Sequence, residues 1–174
     1  KAVLYMRRHN EERSVLRSVE FTTSQGAAVK KTVTREVGPG KKYAQVSQAV
    51  LAANNGDTIL VYPGTYPEMI NVYSDNITIK AVKPGTVKFS AEFMFDYSIK
   101  ASNVKGLTID GIDFVGGRYS ASAKMISLFR SGNIKITNCR FHAGRKRKMG
   151  NLHISGRYIK GIEVRNCVFD TGFH

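Results

Sequence analysis

The chain has little cysteine, little acid and no long apolar run, and each shortage closes off a class of protein. Two cysteines in 174 residues cannot staple a disulfide-rich scaffold. Neither lies in a Cys-x-x-Cys or Cys/His metal spacing, so no metal or cofactor is expected. No window approaches the roughly 18 consecutive apolar residues of a membrane-spanning helix. Only 13 Asp+Glu stand against 27 Lys+Arg, a net charge of +14. That imbalance favours polyanionic partners: nucleic acid, acidic polysaccharide or an anionic membrane surface. Hydrophobic residues make up 42%, enough for one domain with a core plus an extra segment.

Residues 1–36 differ from the rest. "RRHNEERSVLRSVE" (7–20) is dense in charge, with Val15, Leu16 and Val19 as a thin stripe suited to a short helix. "FTTSQGAAVKKTVTREV" (21–37) reads as a polar linker or an edge strand. We therefore expect an N-terminal arm over 1–36 and a second domain over 37–174, divided at the breaker "VGPGKK". Beyond it, Val46, Ala49, Val50 and Ala53 take the i, i+3, i+4, i+7 positions of an amphipathic helix over 43–54, with Asn54, Asn55 and Gly56 as its stop. "DTILVYPGTYPEMINVY" then reads as strand, Pro63-Gly64 turn and strand.

A repeat follows. "LTIDGIDFVGG" (107–117), "IKITNCRFHAG" (134–144) and "IEVRNCVFDTG" (162–172) superimpose without gaps, and "ITIKAV" (77–82) begins a looser copy. Leu107, Ile134 and Ile162 coincide, as do Ile109, Ile136 and Val164; Ile112, Cys139 and Cys167; and Phe114, Phe141 and Phe169. Such a period signals a solenoid whose coils bury their apolar faces by stacking on each other. Gly111, Asn138 and Asn166 share the column that breaks the alternation, and these residue types adopt positive φ most readily, so a sharp bend is expected there in every coil. Coils one strand spacing apart, about 4.8 Å, would let the asparagine amides bond along the corner. The two cysteines would stack inside as small apolar residues, poorly aimed for a bridge.

The run "YAQVSQAVLAANNGDTILVYPGTYPEMINVYSDNITIKAV" resembles the entry segment of the pectin-lyase-like superfamily: a capping helix, then Gly56-Asp57-Thr58-Ile59, then Pro63-Gly64-Thr65-Tyr66 with Glu68. The resemblance covers residues 43–174. It implies an all-β fold, a single-stranded right-handed parallel β-helix of roughly four to five coils with an N-terminal capping α-helix. Lyases, esterases, phage tailspikes and non-catalytic repeat proteins share that entry segment. "GIDFVGG" (111–117) is similar to an active-site segment of pectin methylesterases. However, Phe114 falls in a core column and the partner aspartate and arginine motifs are absent, so Asp113 is not assigned as a nucleophile. Asp110 and Asp113 flank a bend and do not form the acidic cluster of calcium-dependent lyases.

The candidate binding residues lie in segments that follow the closing glycine of a repeat. "RYSAS" (118–122) and "RKRKMGN" (145–151) would neighbour each other on one edge of the solenoid. Arg118, Tyr119, Arg145, Lys146, Arg147 and Lys148 would then border the next sheet as a basic groove with an aromatic platform, suited to acidic sugar chains. "GRYIKG" (156–161) would lie farther round the coil. His153 is expected to point outward, and as a general base it would need a carboxylate partner. "RKRK" also matches a nucleic-acid patch, without the aromatic interleaving or a known nucleic-acid fold to support it.

No amphipathic or polar cap follows the last repeat, so further chain or another subunit is expected over the C-terminal coil. Three readings fit. The first is a module binding acidic polysaccharide within a tailspike, adhesin or lyase, in an extracellular or virion-associated setting. The second is a structural subunit of a large assembly whose basic loops contact protein or nucleic acid. The third is a complete polysaccharide lyase using a Lys/Arg pair.

Overall fold

The structure is a computed structural model and describes residues 31–90, 97–116, 124–142 and 152–170. All but Lys31 of these belong to the compact unit Thr32–His174. The helix expected within 7–20 lies outside the described residues. After strand β1 (Thr34–Val37) and helix α1 (Val46–Leu51) the chain winds in coils of three strands. The first is β2 (Thr58–Val61), β3 (Gly64–Tyr66) and β4 (Ile70–Val72); the second is β5 (Thr78–Ala81), β6 (Val87–Ser90) and β7 (Tyr97–Ser102). The third is β8 (Thr108–Asp110), β9 (Ile112–Val115) and β10 (Lys124–Phe129); the fourth is β11 (Gly132–Thr137), β12 (Arg140–His142) and β13 (Leu152–Arg157). β14 (Lys160–Arg165) and β15 (Val168–Asp170) start a fifth.

Each strand pairs in parallel with its counterpart one coil on. The result is a first sheet ordered β1-β2-β5-β8-β11-β14, a second ordered β3-β6-β9-β12-β15 and a third ordered β4-β7-β10-β13. This is the parallel β-helix that the repeat implied. Two boundaries differ from the sequence reading. Thr34–Val37 is the edge strand of the first sheet, in register with Thr58–Val61, so the solenoid starts before residue 37. The helix runs Val46–Leu51 and not 43–54. Tyr43 instead forms a parallel bridge with Val37. The Glu68 carboxylate, one coil on, accepts hydrogen bonds from the Val46 and Ser47 N–H groups at 2.8 and 2.9 Å and so fixes where the helix begins. The expected stripe of Val46, Ala49, Val50 and Ala53 is buried.

The columns stack as the alternation required. Phe114 registers with Phe89, Phe141 with Phe114, and Phe169 with Phe141. Tyr66 extends the column beneath Phe89. The rings change packing on the way up. Tyr66–Phe89 and Phe89–Phe114 meet edge to face at 6.1 and 5.8 Å, while Phe114–Phe141 and Phe141–Phe169 lie parallel at 4.9 and 4.8 Å, one strand spacing. Ile162, Val164, Val168 and Phe169 of the last described coil remain exposed.

The bend column accounts for the asparagines that precede Cys139 and Cys167. Gly111, Asn138 and Asn166 all have positive φ, at 74°, 54° and 51°. Asn166 Nδ2 donates to Asn138 Oδ1 at 3.3 Å, and Asn138 Nδ2 donates to Asp110 Oδ1 at 2.7 Å. Thr137 Oγ1 also donates to Asp110 Oδ1, at 2.9 Å, and Lys80 Nζ lies 3.6 Å from Oδ2. Glycine is needed at 111 for a second reason. The Pro84 turn folds over it, and a Cβ there would lie 3.2 Å from Pro84 Cα. The cysteines are free thiols beside this corner. Burial pushes the Cys139 thiol up to about 12, and its Sγ–H donates to the Thr137 carbonyl at 3.1 Å.

Candidate functional site

Each coil offers three outer faces, and charge is distributed unevenly among them. On the first sheet Lys80 faces Asp110 at 3.6 Å and Arg165 faces Glu163 at 2.5 Å. On the second, His142 Nδ1 lies 3.6 Å from Asp170. The strands of the third sheet contain no Asp or Glu, yet they carry Lys100, Lys124 and Arg157. Among the described residues, none of these cations, nor Arg130 beside them, has a carboxylate within ion-pair distance.

Polar side chains line the third sheet in register, because Ile99 and Ala101 fill the alternate positions with core contacts. Asn71, Lys100, Ser127 and Ser155 form one column. Tyr97 Oη donates to Asn71 Oδ1 at 3.0 Å, and the Lys100 ammonium lies 5.5 Å from the Tyr97 ring centre. Tyr73, just past β4, is 69% exposed.

The corner from the third sheet to the first is more unusual. Its column is Asn103, Arg130 and Tyr158, following the registered ends Ser102, Phe129 and Arg157. All three have positive φ: 58°, 46° and 58°. Asparagine tolerates this, but a bulky side chain there costs about 1–2 kcal/mol. The bend nevertheless holds Arg130 and Tyr158 in consecutive coils. The Arg130 guanidinium lies 5.1 Å from the Phe129 ring centre and 6.0 Å from that of Tyr158. Arg157 lies 5.0 Å from the Tyr158 ring, and its Nη2 donates to Tyr158 Oη at 3.3 Å. The Phe129 and Tyr158 rings meet edge-on at 6.0 Å. Two guanidiniums are thus held against aromatic faces, with N–H edges available for carboxylate or sulfate oxygens.

Arg118, Tyr119, Arg145, Lys146, Arg147 and Lys148 lie outside the described residues. The strand ends on either side of their segments do stack: Val115 pairs with His142, and Lys124 with Leu152. His153 sits in β13 between Leu152 and Ile154, which register with Lys124 and Ile126; its side chain lies outside the description. Sequence reasoning missed the corner of Phe129, Arg130, Arg157 and Tyr158. Aligning "NVKG" (103–106) with "RSGN" (130–133) and "YIKG" (158–161) would have revealed it. Asp110 and Asp113 fall on different sheets, β8 and β9. No group of three or more metal-ligating side chains occurs among the described residues. No described helix is long and apolar enough to cross a membrane.

No family model and no curated protein sequence matches the chain. Among solved structures, it is similar to an arginine-to-alanine variant of the PL6 family alginate lyase AlyGC, with TM-score 0.57 and 19% identity over 90% of this chain. It is also similar to the pectin methylesterase of Aspergillus niger in a deglycosylated form, with TM-score 0.53 and 14% identity over 82% of this chain. The chain spans 22% of the alginate lyase and 57% of the methylesterase. At these identities the likeness concerns the fold alone, and the chain has the parallel β-helix fold.

Proposed function

We propose that this β-helix is a module that binds acidic polysaccharide along the outer face of its third sheet, within a larger protein or assembly such as a tailspike, adhesin or lyase. The observation that carries the reading is the guanidinium–aromatic corner of Phe129, Arg130, Arg157 and Tyr158 beside Lys100 and Tyr97, on a sheet whose strands contain no acid. A flexible, solvated arginine must be ordered before it can grip an oxyanion, and stacking on a ring removes part of that cost. Stacked coils also repeat the contact along the solenoid axis, as a polymer ligand repeats its charge.

Two further considerations support it. The similar solved structures are named for alginate and for pectin, both uronic-acid polymers. The basic segments with Arg118, Tyr119 and Arg145 to Lys148 lead from strand ends of the second sheet, Val115 and His142, into strand starts of the third, Lys124 and Leu152, and we assign them, with His153, to the rim of the groove. An extracellular or virion-associated location follows from such a ligand. We favour binding over catalysis for this stretch of chain.

The test is a binding panel of polygalacturonate, alginate, neutral dextran and single-stranded nucleic acid across a salt series. The uronates should bind and dextran should not, with affinity falling steeply as salt rises. Preference for nucleic acid would instead favour the assembly-subunit reading. Release of unsaturated uronate products, followed by ultraviolet absorbance, would reveal a complete lyase. If neither uronates nor nucleic acid bind at low salt, the proposal fails.

A further inference from the structure

The second sheet holds a carboxylate that nothing on the basic face employs. Asp113 stands in the outward column Lys88–Asp113–Arg140–Val168. Its three neighbours are exposed, whereas Asp113 is 7% exposed, and its Oδ1 is sealed from water without a hydrogen-bond partner. Neither Lys88 nor Arg140 comes within ion-pair distance of it. The Pro84–Gly85 turn overhangs the site, pinned by the Gly85 N–H donating to the Gly111 carbonyl at 3.3 Å. Together they frame an open recess of about 250 Å³, lined by Pro84, Gly85, Asp113, Asn138, Arg140 and Asn166, among others.

A carboxylate that is nine-tenths buried without a hydrogen-bond donor is rare and destabilising, and a ligand that donates to its less enclosed oxygen offsets part of that cost. The charges decide which ligand. Lys88 and Arg140 flank Asp113 on both neighbouring strands, so a metal ion or amine would meet two like charges. An anion would meet the carboxylate. A neutral hydroxyl suits both, since it donates to Asp113 while a neighbouring oxygen accepts from Arg140. Of the two carboxylate oxygens only Oδ1 is sealed, so the hydroxyl donates to the other one.

We propose that the recess binds a pyranose with adjacent hydroxyls, one donating to Asp113 and the next accepting from the Arg140 guanidinium. This site is distinct from the acidic-polymer face, lies on another sheet and recognises neutral sugar.

The test is a ¹H–¹⁵N chemical-shift titration with methyl glycosides of glucose, galactose and mannose at millimolar concentrations. At least one sugar should give saturable shifts centred on the Gly85, Asp113, Arg140 and Asn166 amides, insensitive to salt. Asp113→Leu and Arg140→Gln should each weaken them at least tenfold. If Asp113→Leu does not fold, Asp113→Asn, which keeps the shape and an acceptor oxygen but loses the charge, should weaken the shifts severalfold. Arg130→Gln and Arg157→Gln should leave the shifts unchanged, so failure of the acidic-polymer face and failure of this site are told apart. No saturable shift with any pyranose, as expected if Asp113 is met by water alone, overturns the proposal. So do shifts that persist in the Asp113 and Arg140 variants.

Discussion

Replacing Asn138 separates the two things its side chain and backbone do. Asn138 joins three coils: its amide donates to Asp110 at 2.7 Å and accepts from Asn166 at 3.3 Å, while its backbone turns the corner at φ 54°. Both bonds are exposed, so each contributes about 0.5–1 kcal/mol, the first somewhat more because Asp110 is charged. Asn138→Ala removes both bonds, about 1–2 kcal/mol together, and replaces asparagine, which tolerates left-handed backbone, by a residue for which that region costs up to about 2 kcal/mol more, for a loss of about 1–4 kcal/mol in all. Asn138→Gly removes the same bonds but accepts the backbone, offset partly by the entropy of a flexible residue. The Gly variant should therefore be more stable than the Ala variant by about 1 kcal/mol, or roughly 2–4 °C in Tm for a chain of this size. Urea and thermal melts of the three proteins measure this directly. If Ala and Gly melt together, the corner does not rest on positive φ. If neither differs from wild type, the asparagine ladder contributes nothing.

Two other predictions follow from buried groups. Burial lifts the Cys139 thiol to about 12, whereas Cys167 is only half-buried. A thiol reagent at neutral pH should therefore label Cys167 on the native protein and both cysteines after denaturation, and equal native rates would contradict the packing. At Asp57, burial alone would raise the carboxyl pKa. The N–H groups of Asn54 and Val33, at 2.9 and 2.8 Å, and the Arg35 guanidinium at 2.8 Å outweigh it and hold the pKa below the ordinary 3.8. A depressed folded value stabilises the protein above the unfolded pKa and is lost as pH falls through the folded one. Asp57→Asn should lower stability at neutral pH and flatten its fall in acid; an unchanged acid limb in stability-versus-pH melts would refute this.

The sequence disclosed the solenoid because its core columns are chemically monotonous. Phe114, Phe141 and Phe169 recur at one position, and Gly111, Asn138 and Asn166 mark one bend, so the register could be read without coordinates. Less regular parts were harder to read. Glu68, far along the chain, sets where α1 begins. β1 carries the polar run Thr34-Arg35-Glu36, since Arg35 answers the buried Asp57 and does not join an apolar column. The candidate site was legible as charge and not as place. Arg130 and Tyr158 occupy positive-φ positions where Asn or Gly is the usual occupant, so residue type concealed that they share a corner with Asn103. The sequence singles out Asp113 only through the esterase-like segment around it and does not show its burial, because the Pro84–Gly85 turn that lines the same recess belongs to an earlier coil.

Chemical-shift mapping of the protein with a short oligouronate at low salt tests the binding face most directly. Perturbed amides should cluster on Tyr97, Lys100, Arg130, Arg157 and Tyr158, and Arg130→Gln with Arg157→Gln should abolish the response at concentrations that saturate wild type. Shifts confined among these strands to the first and second sheets, or undiminished in the double variant, would show that the guanidinium–aromatic corner is not where acidic sugar is held.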